Sequence, residues 1–245
     1  MIKRLVAPVL MLCLPVLGPL GVRGSTAGGA PSCAAIRAAD PGAADGDYAI
    51  RIAGATIPVY CHAMGSDPVE YIDLAQTGGA HNFSQYTAGG ASGGVSVVTH
   101  YTRLRIDRRP ASVNPVTFRV DIADQTFATS SGQLCHSSGA PCSGGRLVVS
   151  MPYAVAFDCV GPASARGIAN VDLSGTIFDT VNTFSVQGFD GGGATAYTPQ
   201  VVNLTGGGYC GWNAPAATYD PYGTNPLQDA NKGFDLQLRL HVPNG

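Results

Sequence analysis

Glycine and proline interrupt this chain at short intervals, and their spacing constrains the fold more than any other feature of the sequence. The 245 residues include 33 glycines and 17 prolines. No long apolar pattern with a helical period of 3.6 residues survives between them. Short runs of alternating apolar and polar residues take its place, most clearly from Phe234 to Val242. Many short strands separated by turns predict a mainly β fold, an antiparallel domain that is sandwich-like or barrel-like.

The same patterns place the individual elements. Strands are predicted at Tyr48–Ala53, Thr56–Tyr60, Glu70–Leu74, Val95–Tyr101, Leu104–Ile106, Phe118–Ile122, Arg146–Met151, Ile168–Leu173, Thr183–Gln187, Gln200–Leu204 and Phe234–Val242. One or two short helices are predicted. Ser32 is placed to cap a helix over Cys33–Ala39 that ends before Asp40-Pro41, and a second turn is predicted in Pro226–Asn231. Glycine-rich loops are predicted at Thr87–Gly94, Asp190–Ala194 and Gly206–Gly208.

The N-terminal segment has the pattern of a secretory signal peptide. Two basic residues precede the apolar run Leu5–Leu20, and small residues follow it. The run is too short and too interrupted by proline to be a stable membrane anchor, and two internal prolines also argue against a buried helix. We therefore expect a signal peptide over residues 1–27, a flexible leader over 28–32 and one domain over 33–242. The product is expected to be secreted, extracellular or periplasmic, without a membrane span.

Charge and cysteine content narrow the possible partners and the compartment. Removing residues 1–27 takes away three cations and no acid, so the formal net charge falls from -2 to -5. Such an acidic product is a poor match for nucleic acid or for an anionic membrane surface. Six cysteines remain, and an even number in an exported chain predicts disulfide bonds.

Several blocks of this sequence resemble the GON domain, the C-terminal module of some ADAMTS-type secreted metalloproteases. The blocks are Cys33-Ala-Ala-Ile36, Asp45-Gly-Asp-Tyr48, Val59-Tyr-Cys61-His-Ala-Met64, Glu70-Tyr-Ile-Asp-Leu74, Asn82-Phe-Ser84, Tyr101–Asp107, Thr126-Phe-Ala128 with Gly132, Cys135–Cys142, Gly145-Arg-Leu147, Gly207-Gly-Tyr-Cys-Gly211 and Phe234–Leu240. In this order they extend over nearly all of residues 33–242. The opening block alone also resembles fibrinogen-like domains. The GON resemblance implies a non-catalytic accessory module that binds an extracellular protein or glycan.

The cysteines are interpreted as a scaffold. Cys135 and Cys142 are close enough for a hairpin disulfide, the resemblance implies that Cys33 pairs with Cys61, and Cys159 and Cys210 remain for the third pair. Other pairings are open, since six cysteines allow fifteen. A zinc site built from Cys135, His136 and Cys142 is the alternative, but the closely spaced ligand pairs of structural zinc sites are missing from the sequence. The central cysteine cluster of GON domains is also missing here, and Trp212 stands where another cysteine usually follows.

The sequence offers little support for catalysis. Glu70 is the sole glutamate, and Val69 stands where the first histidine of H-E-x-x-H would be needed. Ser92 lies in a G-x-S-x-G string, but a predicted strand follows it instead of the helix of a nucleophile elbow. A hydrolase using Ser92 is therefore an alternative to the non-enzyme interpretation. No metal or cofactor is expected. The other alternative to a metal-free binding module is a lectin-like module that depends on calcium or zinc.

Four aromatic residues in a Gly-, Asn- and Pro-rich stretch are the binding candidates. Tyr209, Trp212, Tyr219 and Tyr222 lie close together in sequence. Loop aromatics can stack on sugars or anchor a protein partner. The competing interpretation is that these rings cover the end of the core near Cys210. We expect at least one of them to be exposed and to contribute to binding.

Overall fold

The computed structural model describes residues 29–52, 54–88, 94–107, 117–121, 124–134, 152, 154–156, 166–181, 184–187, 194–206, 212–215 and 236–241, here called the described residues. They contain one helix, α1 (Cys33–Ala39). The strands are β1 (Gly46–Ile52), β2 (Ala55–His62), β3 (Val69–Asp73), β4 (Phe83–Thr87), β5 (Gly94–Tyr101), β6 (Arg103–Asp107), β7 (Thr117–Val120), β8 (Ala128–Leu134), β9 (Ala154–Ala156), β10 (Ile168–Asp172), β11 (Phe178–Thr180), β12 (Phe184–Gln187), β13 (Ala194–Tyr197), β14 (Val201–Thr205), β15 (Trp212–Pro215) and β16 (Leu236–Leu240).

One sheet contains seven antiparallel strands in the order β1-β2-β3-β6-β7-β16-β11. Its first three strands form a meander, in which Gly46 lies opposite Cys61 and Cys61 lies opposite Glu70. The later strands come from distant parts of the chain, because β16 lies between β7 and β11. Strand β16 therefore joins two segments that are far apart in sequence.

The other sheet contains nine strands and branches at β4. One edge of β4 pairs with β5, which pairs with β8. The other edge is shared: its first residues pair with β10 and its last residues pair in parallel with β9. From β10 the sheet continues through β14 to β13, and from β9 it continues through β15 to β12. Together the two sheets form a curled half-barrel.

The inner faces of the two sheets share one hydrophobic core. Apolar residues at alternate positions supply it, as in β2 (Ile57, Val59 and Cys61) and β16 (Leu236 and Leu238). Two tyrosine side chains from the nine-stranded sheet, Tyr86 and Tyr101, are also buried there. Burial raises the pKa of Tyr86 to about 12. Where burial alternates along a strand, as in β2 and β16, the opposite face of the sheet is left for polar residues.

Helix α1 is fixed to the seven-stranded sheet at its N-terminal end. Ser32 caps it by accepting a hydrogen bond from the backbone nitrogen of Ala35 at 2.9 Å, and the helix ends at Asp40, as predicted. A disulfide joins Cys33 to Cys61 in β2, with the two Cα atoms 5.5 Å apart. The leader was expected to be flexible, yet Ala30 forms a β-bridge with Ile50 along the edge of β1.

The structure confirms the mainly β, antiparallel fold with a short disulfide-linked helix, and it corrects several boundaries. Segment Phe83–Thr87 was not predicted as a strand, and β13 begins inside the predicted loop Asp190–Ala194. Four more observed strands were also not predicted: Ala128–Leu134, Ala154–Ala156, Phe178–Thr180 and Trp212–Pro215. The predictions for Arg146–Met151 and Pro226–Asn231 lie outside the described residues. Within those residues, no helix has the length and apolar character needed to span a membrane.

Candidate functional site

Trp212 is one of four aromatic candidates of which at least one was expected to be exposed, and it is buried. It begins β15, lies opposite Gln187 and Val155 on its two neighbours, and is 3% exposed. A side chain buried to this degree packs in the core and cannot present its ring to a partner. The predicted role of Trp212 as an exposed anchor is therefore corrected. Tyr209, Tyr219 and Tyr222 lie outside the described residues, so their role in binding stays a prediction.

The cysteine predictions have a mixed outcome. The pairing of Cys33 with Cys61 is confirmed. The other four cysteines (Cys135, Cys142, Cys159 and Cys210) lie outside the described residues, as does Ser92. The remaining two disulfides and the hydrolase alternative therefore stay as predicted from the sequence.

Glu70 is a structural residue at the start of α1. Its side chain is 5% exposed, and its Oε1 accepts a hydrogen bond from the backbone nitrogen of Cys33 at 2.8 Å. The first backbone N–H groups of a helix have no partner within the helix, so a carboxylate there satisfies one of them. Glu70 also faces Cys61 across the sheet. The glutamate and the disulfide thus hold the same helix end to the same pair of strands.

Asp45 organises the turn that follows β2. Its carboxylate accepts hydrogen bonds from the backbone nitrogens of Met64 at 2.7 Å and Ala63 at 3.1 Å, and it lies 2.9 Å from Nδ1 of His62. Ala63 has a φ of +57°, a left-handed conformation that is uncommon for residues other than glycine. The bond from Met64 is the main cause that lowers the pKa of Asp45; burial opposes it, and the contacts with Ala63 and His62 lower the pKa further. Asp45, in the block Asp45-Gly-Asp-Tyr48, therefore has a structural role, which is to stabilise the turn after β2.

A group of rings lies on the outer face of the seven-stranded sheet, opposite the core. Five residues form this arginine–aromatic cluster: Tyr60, His62, Tyr71, Arg103 and Phe127. Tyr60, Tyr71 and Arg103 belong to β2, β3 and β6, where Tyr60 lies opposite Tyr71. The ring of Phe127 stands edge-on to Tyr71 at 4.7 Å and to Tyr60 at 5.6 Å between centroids. Such edge-to-face pairs contribute roughly 0.5–1.5 kcal/mol beyond the burial of their area.

Arg103 is held in a fixed position within this cluster. The central carbon of its guanidinium lies 3.8 Å from the centroid of Tyr60 and 4.7 Å from that of Phe127. Its Nε also donates to the carboxylate of Asp73 on the neighbouring strand. Stacking and ion pairing together restrict a side chain that would otherwise sample many rotamers. Its guanidinium is therefore preorganised in one position on the sheet surface.

Asp124 connects the cluster to the segment that carries Phe127. The hydroxyl of Tyr71 donates to Asp124 Oδ2 at 2.9 Å, and Arg105 lies 3.3 Å from the same oxygen. Burial, with the hydrogen bond to Asp124 adding to it, raises the pKa of Tyr71. The backbone oxygen of Phe127 accepts a hydrogen bond from the nitrogen of Thr102 at 3.0 Å. These contacts hold Phe127 against the sheet.

The arginine–aromatic cluster is accessible as well as ordered. Of its five members, Tyr71 is buried. The other four are partly exposed: Tyr60, His62, Arg103 and Phe127. Arginine and aromatic side chains are enriched in protein interfaces and account for many binding hot spots. This group was not predicted from the sequence, although alternation in β6 places Arg103 and Arg105 on the face opposite the core positions Leu104 and Ile106. Its assembly depends on strand pairing and on Phe127, which one sequence does not reveal.

Among the described residues, three histidine–aspartate pairs occur near strand ends: His62 with Asp45, His81 with Asp172, and His241 with Asp179. The carboxylate of Asp172 is partly buried, which raises its pKa, but hydrogen bonds from Ser174 and His81 outweigh this effect and lower the pKa overall. Each pair joins separate chain segments. Among the described residues, no group of three or more His, Cys, Asp or Glu side chains is placed to hold a metal ion.

The described part of the chain therefore defines a disulfide-linked β module with a structural helix anchor and a partly exposed arginine–aromatic cluster. The family model for the GON domain matches residues 30–220, and the chain belongs to the GON domain family. This family is an accessory module of secreted proteins and not a catalytic domain. Neither the curated proteins nor the solved structures contained a match to this chain.

Proposed function

We propose that this protein is a secreted, non-catalytic module that binds an extracellular protein or glycan, acting outside the cell or in the periplasm. Membership of the GON family supports an accessory role, and the N-terminal sequence supports export. The lack of an H-E-x-x-H motif in the sequence supports a role other than zinc proteolysis.

The arginine–aromatic cluster carries the proposal, and it favours a protein partner. A guanidinium already fixed against two rings loses little conformational entropy when it binds. The nearby arginines bring no excess of positive charge, because Arg103 is paired with Asp73, and Arg105 with both Asp121 and Asp124. A surface without excess positive charge does not attract a polyanion, so a mixed polar and apolar protein surface is the better match. Tyr209, Tyr219 and Tyr222 remain proposed as further contact residues.

The test compares binding by two arginine variants. Wild-type protein, Arg103→Ala and Arg51→Ala are immobilised, and proteins captured from culture medium are identified and then titrated individually. Arg51 is exposed at the sheet edge on β1, so its replacement is the matched control. We expect Arg103→Ala to weaken Kd about 30-fold, as for a hot-spot residue of about 2 kcal/mol, while Arg51→Ala binds normally. A partner bound equally by all three proteins would contradict the assignment of this surface.

The non-catalytic part of the proposal has a separate test. Purified protein is incubated with fluorogenic ester and peptide substrates, with Ser92→Ala as the control. We expect no turnover by either protein. Hydrolysis by the wild type that disappears in Ser92→Ala would overturn the non-catalytic proposal.

A further inference from the structure

A row of uncharged side chains crosses the outer face of the nine-stranded sheet. Asn203, Asn170, Phe83, His100 and Thr129 occupy the adjacent strands β14, β10, β4, β5 and β8. Each is the direct register partner of the next, from Asn203 with Asn170 to His100 with Thr129. Their sequence neighbours Leu204, Ala169 and Tyr101 point into the core, so alternation places the row on the opposite face.

The two ends of the row carry hydrogen-bonding groups toward solvent, whereas Asn170, between Asn203 and Phe83, is buried and its Oδ1 accepts a hydrogen bond from the backbone nitrogen of Asn82 at 2.9 Å. Asn203 is exposed, and its Oδ1 accepts from Nδ2 of Asn170 at 2.9 Å. This bond fixes the amide orientation and leaves the Nδ2 group of Asn203 without an acceptor among the described residues. Thr129, at the other end, is also exposed and brings a hydroxyl that both donates and accepts.

The middle of the row is a pair of rings. Phe83 and His100 are partly exposed, and their centroids lie 5.8 Å apart with an angle of 42° between the planes. Nδ1 of His100 is buried and has no hydrogen-bond partner. The centre of the row thus combines an apolar ring with an imidazole.

We propose that this row is a binding site for an uncharged, extended glycan chain. Neighbouring strands are about 4.8 Å apart, so five strands give a row about 19 Å long. That strand spacing is close to the advance of one hexose in an extended β-1,4-linked chain. The apolar ring suits the C–H face of a sugar, and amide, imidazole and hydroxyl groups suit its hydroxyls. None of the five residues is Asp, Glu, Arg or Lys, which matches an uncharged ligand.

This inference rests on the proposed binding function and assigns a ligand class to a second surface, separate from the arginine–aromatic cluster. The test is calorimetric titration of the full-length mature protein with cellohexaose and chitohexaose, with a galacturonate hexamer as the charged comparison. We expect at least one uncharged hexasaccharide to bind and the charged one to bind at least tenfold more weakly. Asn203→Asp keeps the oxygen that Asn170 bonds and removes two donors, so it should weaken binding about tenfold.

Controls separate the site from general effects on folding. Thr129→Val is a second variant at the other end of the row, and Arg51→Ala, an exposed position on the other sheet, is the matched control that should bind sugar normally. Melting temperatures identify any variant that fails to fold. No binding of either uncharged hexamer, or equal binding by wild type, Asn203→Asp and Thr129→Val, would overturn the site. If the sugar titration fails but a protein partner still depends on Arg103, the proposed binding function stands without the glycan site. If the sugar titration and the partner capture both fail, the glycan site and the proposed binding function are both contradicted.

Discussion

Glu70 and Cys33 are joined by a buried hydrogen bond of 2.8 Å between Oε1 of the glutamate and the backbone nitrogen of the cysteine. Cys33 is also the residue that the disulfide ties to Cys61, the register partner of Glu70. Two different interactions therefore converge on the first residue of α1. The sole glutamate of the chain therefore anchors α1 to the sheet. This role could not be predicted from its position in the Glu70-Tyr-Ile-Asp-Leu74 block.

Replacing Glu70 with alanine should destabilise the protein by about 1–3 kcal/mol, because the buried N–H of Cys33 then lacks its acceptor. Urea unfolding followed by tryptophan fluorescence measures the change. Glu70→Gln is the matched control, since it retains an acceptor oxygen of similar reach and should lose less. Equal unfolding midpoints for Glu70→Ala and the wild type would contradict this role.

Replacing both Cys33 and Cys61 with alanine should lower the free energy of unfolding by about 2–5 kcal/mol. The link closes a loop between residues 28 positions apart and holds α1 on β2. Limited trypsin digestion supplies a local measurement, because loosening of α1 should speed cleavage after Arg37. Unchanged stability together with unchanged cleavage after Arg37 would show that the bond does not anchor the helix.

The sequence predicted elements best where local signals agreed. The helix Cys33–Ala39 has a serine cap, an apolar face and a stop at Asp40-Pro41, and all three hold in the structure. Segment β4 was missed because its inward positions include Ser84, a polar residue that is fully buried. Trp212–Pro215 was missed because all four residues are buried, so the segment shows no alternation. In both cases burial is set by neighbouring strands and not by the local pattern.

The candidate surfaces were harder to predict than the fold. The arginine–aromatic cluster joins β2, β3 and β6 with Phe127 from a later segment, and none of these residues is unusual by itself. Trp212 was predicted as a binding candidate because tryptophan is a rare residue and this one lies close to Cys210 in sequence. A large apolar ring near glycine is equally compatible with a core and a binding loop, and only tertiary packing decides between them.

Replacing Gly132 with alanine should destabilise the protein by more than about 2 kcal/mol, since two costs add. Gly132 has a φ of +91°, and a Cβ there would lie 1.9 Å from the backbone oxygen of Ser96, at the register shift between β5 and β8. Gly54→Ala is the matched control, because Gly54 has a φ of +86° but open space around its Cβ position. Chemical denaturation of both variants separates the cost of the steric contact from the cost of the positive φ. If the two substitutions cost the same, the close approach of β8 to β5 is wrong.

Lowering the pH below about 4 should remove the stabilisation contributed by Asp45. Its folded pKa lies below the ordinary value of 3.8, chiefly because the Met64 nitrogen bonds the charged form. The contribution is therefore complete above the unfolded pKa and is lost as the pH falls through the folded one. Urea midpoints measured from pH 6 to pH 2 should fall less steeply for Asp45→Asn than for the wild type. Asp47→Asn, at an exposed residue two positions later in β1, is the control and should follow the wild-type profile.

Replacing Trp212 with alanine should destabilise the protein by about 3–5 kcal/mol, the usual cost of removing a buried tryptophan. The side chain is 3% exposed, and the backbone around it is tightly packed: a Cβ on Gly206 would lie 2.2 Å from the oxygen of Ala154 and 3.4 Å from Cα of Trp212. For a domain of this size the melting temperature should fall by roughly 10 °C, measured by differential scanning calorimetry. Trp212→Phe leaves a smaller cavity and should lose less. A melting temperature unchanged in Trp212→Ala, with binding of a partner weakened, would instead restore Trp212 as an exposed anchor.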